Sequence, residues 1–332
     1  MATLGGSALT LTDWAKRRDP RGGIAAIAEL LSQKNDILRD MLWREGNLPT
    51  GHQVVVRTGL PTPVWRLLNA GIAPTKSTTA QITEHIGMLE DFSQADKDLA
   101  ELEGSLNAFR MSELSAHLEG MNQEFSQTLF YGNQGTAPEE FTGFATRYAS
   151  LTATNGQNII DAGGTGSDNS SIWLVVWGTE TVCGIFPKGS KAGLNHDDQG
   201  LVNVTVTAGV AGSQMRAYQD WVQWKGGLAI KDWRFAVRIA NIDISDLTGG
   251  SAADIVDEMI RAYHRIPSLA MGRPSFYMNR TCAQYLDIQR KDDSLTGANI
   301  SLQQVDGVNR LEFRGIPIGI VDQLTEAEAQ IS

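Results

Sequence analysis

Cysteine is nearly absent: Cys183 and Cys282 are the only two in 332 residues. That excludes a disulfide framework and points to a reducing compartment, with both thiols read as ordinary buried side chains. No apolar run reaches the 18 to 20 or so residues that a membrane-spanning helix needs. The first twenty residues lack a charged segment followed by an apolar one, so no secretory signal is read and the protein is expected to stay where it is made. Positive charge is also in short supply, with 28 Lys and Arg against 38 Asp and Glu and a net charge of -10. A chain of that balance is not a general nucleic-acid binder over its whole surface.

The signatures of chemistry are missing too. There is no phosphate-binding G-x-x-x-x-G-K-[ST], no H-E-x-x-H and no G-x-S-x-G. His52, His85, His117, His196 and His264 are scattered, without metal-ligand spacing. AGGTGSDNSS (162–171) is glycine-rich but precedes a strand, whereas a dinucleotide fingerprint follows one, so it reads as a loop. NHDDQG (195–200) groups His196 with Asp197 and Asp198. It could bind a divalent cation, or be a solvated acidic loop ahead of a strand. Trp173, Trp177, Trp221, Trp224 and Trp233 crowd one region with only Lys225, Lys231 and Arg234 near them. A base-stacking platform interleaves its aromatics with many cations, so packing is the better reading. No cofactor is implied.

What is present is a large potential core, at 42% apolar residues, and 34 glycines that suggest many turns and much β structure. Lys16, Arg17, Arg18 and Arg21 cluster in an N-terminal arm that can touch phosphate or remain a solvated tail. Residues 24–44 show helical spacing of apolar positions, closed by Gly46 and Pro49. Residues 51–92 predict a long hairpin: a first extended arm over 51–68, proline-interrupted and carrying Trp65, a polar tip over 69–79 carrying Lys76, and a returning arm. Such an element reaches a neighbour. Leu99, Leu102, Leu106, Phe109, Leu114, Leu118, Met121, Phe125 and Leu129 then form one apolar stripe over residues 95–130. That predicts a strut helix on the order of 50 Å long, capped by Ser93 or Asp96 and stopped by Gly132.

TLFYGNQGTAPEEFTGFATRY (128–148) follows it. Gly132 and Gly135 end the helix, Pro138 redirects the chain, and Phe130, Tyr131, Phe141, Phe144 and Tyr148 can anchor an elbow by apolar burial. Beyond it the chain is β-rich. SIWLVVWGTETVCGIF (171–186) predicts a hairpin, and 201–207 and 226–242 predict further strands. Helices over 252–266 and 280–291, a short strand at 275–279 and a closing strand within 310–324 complete the pass. Composition and periodicity alone give a soluble, mixed helix-and-sheet protein with a strut helix and a projecting hairpin.

The order of these parts resembles the subunit of a tailed-bacteriophage capsid, the Hong Kong 97-type α+β fold. FYGNQGTAPEEFTGFATRY (130–148), SIWLVVWGTETVCGIFPKGSKAGL (171–194), WKGGLAIKDWRFAVRIANID (224–243) and FRGIPIGIVDQL (313–324) are similar to the major capsid proteins of a podophage branch, that of the Bordetella phage and epsilon-fifteen groups. The resemblance implies an N-terminal arm and helix (1–50), an extended loop (51–92), a spine helix (93–135), a β-rich peripheral body (136–245) and an axial-type α/β domain (246–332). It also implies a shell of pentamers and hexamers built from copies of the chain, assembled in the bacterial host cytoplasm. Lys16, Arg17, Arg18, Arg21, Trp65 and Lys76 would make contacts between subunits. Packaged double-stranded DNA would lie against the inner face, and scaffolding, decoration and portal proteins are the possible further partners. The chain has no long charged helical leader, so a scaffold, where one is used, is expected as a separate protein. No covalent crosslink is carried over to Lys76. Two other readings stand beside this one: an α/β enzyme with a site near His196, Asp197 and Asp198, or a different virion component.

Overall fold

The computed structural model describes residues 32–102, 105–205, 212–248, 253–292, 300–305 and 308–332, with the backbone alone described within 290–310. In chain order the elements are α1 (Asp36–Asp40), β1 (Trp43–Glu45), β2 (Gly51–Gly59), β3 (Thr78–His85), β4 (Gly87–Asp96), α2 (Lys97–Glu101), α3 (Leu106–Tyr131) and α4 (Phe144–Arg147). They continue with β5 (Ile159–Asp161), β6 (Asn169–Trp177), β7 (Val182–Phe186), β8 (Leu194–Thr205), β9 (Gln214–Ile230) and β10 (Ala236–Asp243). The last are α5 (Ile255–Arg265), β11 (Arg273–Met278), α6 (Arg280–Asp292), β12 (Ile300–Val305), β13 (Val308–Phe313) and β14 (Ile316–Ile320).

Two compact units result, neither continuous in sequence. The first takes in residues 88–125 and 193–225; the second is built from 34–87, 126–192 and 226–332. The five consecutive segments expected from the resemblance therefore do not coincide with these units, because β8 and most of β9 pack with the helix rather than with the strands before them.

In the first unit β8 pairs with β9 antiparallel, from Leu194 opposite Trp224 to Thr205 opposite Gln214, and β4 borders β9. Helix α3 covers one face of this sheet. Phe109 packs with Ala95, Ala100 and Tyr218; Leu114 and Met121 pack on Val222; Phe125 stacks on Trp224 at 4.3 Å between ring centroids. The stripe was legible, but the helix is not continuous. Asp96 caps α2 by accepting from the amides of Asp98 and Leu99, and α2 stops at Glu101. Leu102, placed in the stripe by its spacing, sits in the break and is 46% exposed. The interval 102–105 contains Gly104, the residue type least favourable in a helix after proline. The long segment is thus 26 residues, about 39 Å rather than about 50 Å.

The helix expected over 24–44 is also corrected; residues 24–31 lie outside the described residues. Residues 32–35 are not helical, α1 spans Asp36–Asp40, and the chain then extends into β1, which pairs parallel to Gly184–Phe186 of β7. Tertiary pairing has overridden a local helical spacing there.

The core of the second unit surrounds β6, whose nine residues are all buried. β10 and β11 flank it, both antiparallel, and the sheet extends outward through β14, β13 and β12, with β5 beside β10. The predicted hairpin at 171–186 does not form. β6 and β7 meet at a single parallel bridge, Trp177 with Val182, and β7 pairs instead with β9 and β1. A strand buried on both faces with both edges taken has no room for a returning partner. The closing strand expected in 310–324 is itself a hairpin, β13–β14, turning on Arg314 and Gly315 with φ of 50° and 77°. Positive φ at both central residues is the turn that matches strand twist, and glycine supplies one at no steric cost. Cys183 and Cys282 are both buried free thiols, and burial pushes that of Cys282 up to about 12.

Candidate interaction surface

The hairpin β2–β3 is paired from Gly51 opposite His85 to Gly59 opposite Thr78. It is shorter than the expected 51–92, because the strand after His85 is β4, which joins the other sheet. Between its arms, residues 60–77 are exposed without exception. Proline at 61, 63 and 74 removes backbone donors and keeps this stretch out of any ladder. It is nevertheless rich in large apolar side chains: Leu60 is 76% exposed, Trp65 105%, Leu67 81% and Leu68 91%. Residues 60–68, expected as the end of the first arm, are instead unpaired and lengthen the tip, making it an apolar one with cations. Arg57, Arg66 and Lys76 are its charged residues, and no carboxylate occurs between Gly46 and Thr83. Trp65 and Lys76 are both on this surface, whereas Lys16, Arg17, Arg18 and Arg21 lie outside the described residues.

The base of the hairpin is anchored. Glu84 is 4% exposed and receives two hydrogen bonds from the Arg147 guanidinium, at 2.8 and 2.5 Å. Nothing in a local window relates these two residues, 63 positions apart. An open cleft of about 1170 Å³ runs between the hairpin base and the body, lined by His52, Glu84, Arg147, Glu180, Lys231 and Trp233 among others. Glu180 takes ion pairs from Arg44 and Lys231, and its carboxyl is held below the usual range by the hydrogen bond from Lys231. Burial, with the charges of Lys231 and Arg44, holds the His52 imidazole below its usual value. Replacing Glu84 by alanine should leave the Arg147 guanidinium with only the Thr142 carbonyl and no counter-charge, and cost about 3–5 kcal/mol, read as a lowered urea midpoint. A loss below about 1 kcal/mol would show that the pair does not anchor the hairpin.

The elbow lies at the other end of α3. Phe130, Phe141, Phe144 and Tyr148 are at most 3% exposed, and Tyr131 is half-buried. Trp173 is the common partner: its ring centroid lies 6.1 Å from that of Phe130, 5.5 Å from Phe144 and 5.8 Å from Tyr148. The helix ends at Tyr131, and Gly132 and Gly143 close the loop between them, the amide of Gly143 donating to the carbonyl of Gly132 at 2.9 Å. Glycine is required at 143 by close approach: a Cβ would stand 2.7 Å from the carbonyl oxygens of Phe130 and Thr128. Gly135 donates its amide to the Asn133 side chain, and Pro138 is an exposed turn residue in a bond from Glu140 to Ala137. Of the stripe residues, Leu99, Phe109, Leu114, Met121, Phe125 and Leu129 are buried, and Leu106 and Leu118 half-buried.

The acidic segment at 195–200 is not a loop ahead of a strand but part of β8. Asp198 and Asp220 share the Arg110 guanidinium of α3, and His196 Nε2 lies 3.0 Å from Asp220. Arg110 holds the Asp198 carboxyl below its usual range. These groups tie helix to sheet. Asp197 is exposed, opposite Trp221 in register. Among the described residues no group of three or more His, Cys, Asp or Glu could hold a metal ion, and no helix is long and apolar enough to cross a membrane.

Comparison with known proteins places this architecture. The family model described as "Major capsid protein GP7" matches residues 19–332. A chain from the cryo-EM structure of bacteriophage Epsilon15 is 33% identical, with a TM-score of 0.77, and the match covers 100% of this chain and 99% of that one. The capsid of bacteriophage JBD30 is matched at 9% identity with a TM-score of 0.46, over 90% of this chain and 95% of that one. A search of curated proteins finds no match.

Proposed function

Since the chain belongs to the GP7 family of major capsid proteins and forms the shell of a tailed bacteriophage, with a Hong Kong 97-type fold, we propose that the hairpin β2–β3 is the element by which one copy grips the next. A shell protein is a structural protein, and its working surfaces are those that meet other copies. The observation that carries the reading is the apolar tip. Six large apolar residues between Leu60 and Ile72 are each more than half exposed. Contiguous exposed apolar surface marks an interaction site.

Charge selects the receiver. The tip carries only cations, while the segments 88–125 and 193–225 hold twelve Asp and Glu against four Lys and Arg, a net of -8. The same unit exposes Met88 and Phe92 beside Glu90 on the face of β4 that alternates away from buried Ser93 and Ala95. The tip of one copy lies against this acidic, partly apolar surface of a neighbour. Contacts of this heterologous kind close into rings, here pentamers and hexamers. Each subunit both gives and receives, so modest single contacts are multiplied by valency. The basic N-terminal arm with Lys16, Arg17, Arg18 and Arg21 reaches a further copy. Assembly takes place in the host cytoplasm. The acidic balance disfavours premature binding to DNA, which lies against the inner face without base contacts, and scaffolding, decoration and portal proteins are the separate partners.

Trypsin tests the reading. Arg66 and Lys76 are both exposed in the proline-rich tip. Free subunits should be cut there readily, and assembled shells at least ~10-fold more slowly, the protection expected when a contact worth about 1.4 kcal/mol or more covers the site. Equal cutting rates at Arg66 and Lys76 in shells and subunits would overturn the docking of the tip.

A further inference from the structure

Glu328 lies near the end of the chain, in residues 321–332, which hold no helix and no strand beyond isolated bridges. The residue is 8% exposed. One carboxylate oxygen accepts from the Tyr131 hydroxyl at 2.7 Å. The other accepts from Ser171 Oγ and from Arg238 Nη2, the latter at 2.9 Å. Arg238, 4% exposed and set over the Trp173 ring, uses its second amine to bond the carbonyl of Tyr148 at 2.7 Å. Tyr131 is the last residue of α3 and Tyr148 the first after α4, so one carboxylate–guanidinium pair holds both ends of the elbow. The backbone of Glu328 exchanges two hydrogen bonds with Asn169 of β6, which fixes the carboxylate from behind.

Stability by itself does not account for such a pair. Desolvating two charges costs so much that an apolar replacement of similar volume is often neutral or better. What a buried ion pair adds is direction, which the surrounding aromatic contacts lack, since apolar burial is non-directional. We infer that Glu328 is a positioning residue for shell assembly: the end of the chain closes over the elbow, and the Glu328–Arg238 pair sets the direction in which the last turn of α3 leaves β6 and β10. Rocking of that turn would alter the curvature to which copies assemble. The shell readout rests on the capsid function; the local readout below does not.

The test uses two variants of the full chain. The double variant Glu328→Met, Arg238→Met removes both charges without orphaning either. Tyr131→Phe removes one hydroxyl and is the milder second probe. Hydrogen exchange is measured on the subunit over residues 128–132 and, as the internal reference, over β6. Exchange at 128–132 is expected to rise about threefold to tenfold relative to β6, the worth of one directional hydrogen bond. A general loss of stability would instead raise both regions by the same factor, and that result, or no change in either variant, overturns the positioning role. Electron microscopy of shells from the same variants is expected to give a broadened diameter distribution or tubes. Variants with loosened elbows that still build shells of wild-type diameter would confine Glu328 to the subunit and overturn its part in assembly. A wild-type chain that builds no shells bears on the capsid reading, while the exchange ratio still decides whether the Glu328–Arg238 pair positions the last turn of α3.

Discussion

Changing Trp65, Leu67 and Leu68 together to aspartate is expected to leave the subunit folded and abolish its shells. The three side chains are 105%, 81% and 91% exposed, so the subunit loses no packing when they go. In the assembly each would be removed from water, at roughly 1.5–3 kcal/mol apiece. Losing all three forfeits on the order of 5–9 kcal/mol per contact before ordering costs, which are of the same size. With the tip docked as proposed, the substitution also places three carboxylates against segments whose formal net charge is -8. Like-charge juxtaposition at an interface costs several kcal/mol more. Circular dichroism should match the wild type, and gel filtration followed by negative-stain microscopy should show subunits at concentrations where the wild type forms particles. Normal particles from the triple variant would remove the tip from the assembly contacts.

Trp173→Ala is expected to be the most destabilising single substitution in the elbow. The residue is 0% exposed and carries Phe130, Phe144 and Tyr148 on its ring, with the Arg238 guanidinium 5.1 Å from the ring centroid. Truncating a buried tryptophan costs about 3–5 kcal/mol. That is a large part of the roughly 5–15 kcal/mol by which a domain is stable. Urea unfolding should show the midpoint fall accordingly. Trp173→Phe should cost much less, because the buried indole N–H has no hydrogen-bond partner among the described residues and nothing there is orphaned by its removal. An alanine variant within about 1 kcal/mol of the wild type would mean that Trp173 is not the centre of the cluster.

The elbow shows how far the sequence reaches. Phe130, Phe141, Phe144 and Tyr148 are buried because they are aromatic and lie at a glycine-broken helix end, and both facts are local. The packing reading of the tryptophans has the same basis, and Trp173 and Trp177 are fully buried. Gly143 escaped notice, since a glycine required by close approach has no signature of its own; only the carbonyls of residues 128–130, folded back upon it, make it necessary. Arg238 and Glu328 escaped for a related reason. A charged residue in an apolar strand reads as a solvated exception until its partner, 90 positions away, is seen beside it.

The hairpin was legible in two extended arms separated by a proline-bearing stretch, and the buried face of α3 in the spacing of Phe109, Leu114, Met121 and Phe125. The sequence by itself also carried the capsid resemblance, in the wording of residues 130–148 and 224–243. Such features depend on which face of a segment meets water, and periodicity records that directly. The tertiary structure decided the rest. It drew Trp43–Glu45 out of an expected helix into a strand, interrupted the strut at Leu102, and denied β6 and β7 their hairpin. It also gathered residues 88–125 and 193–225 into one unit. Strand partners and distant ion pairs are chosen by competition among all segments for the same edges and the same buried space, and no local window contains the terms of that competition.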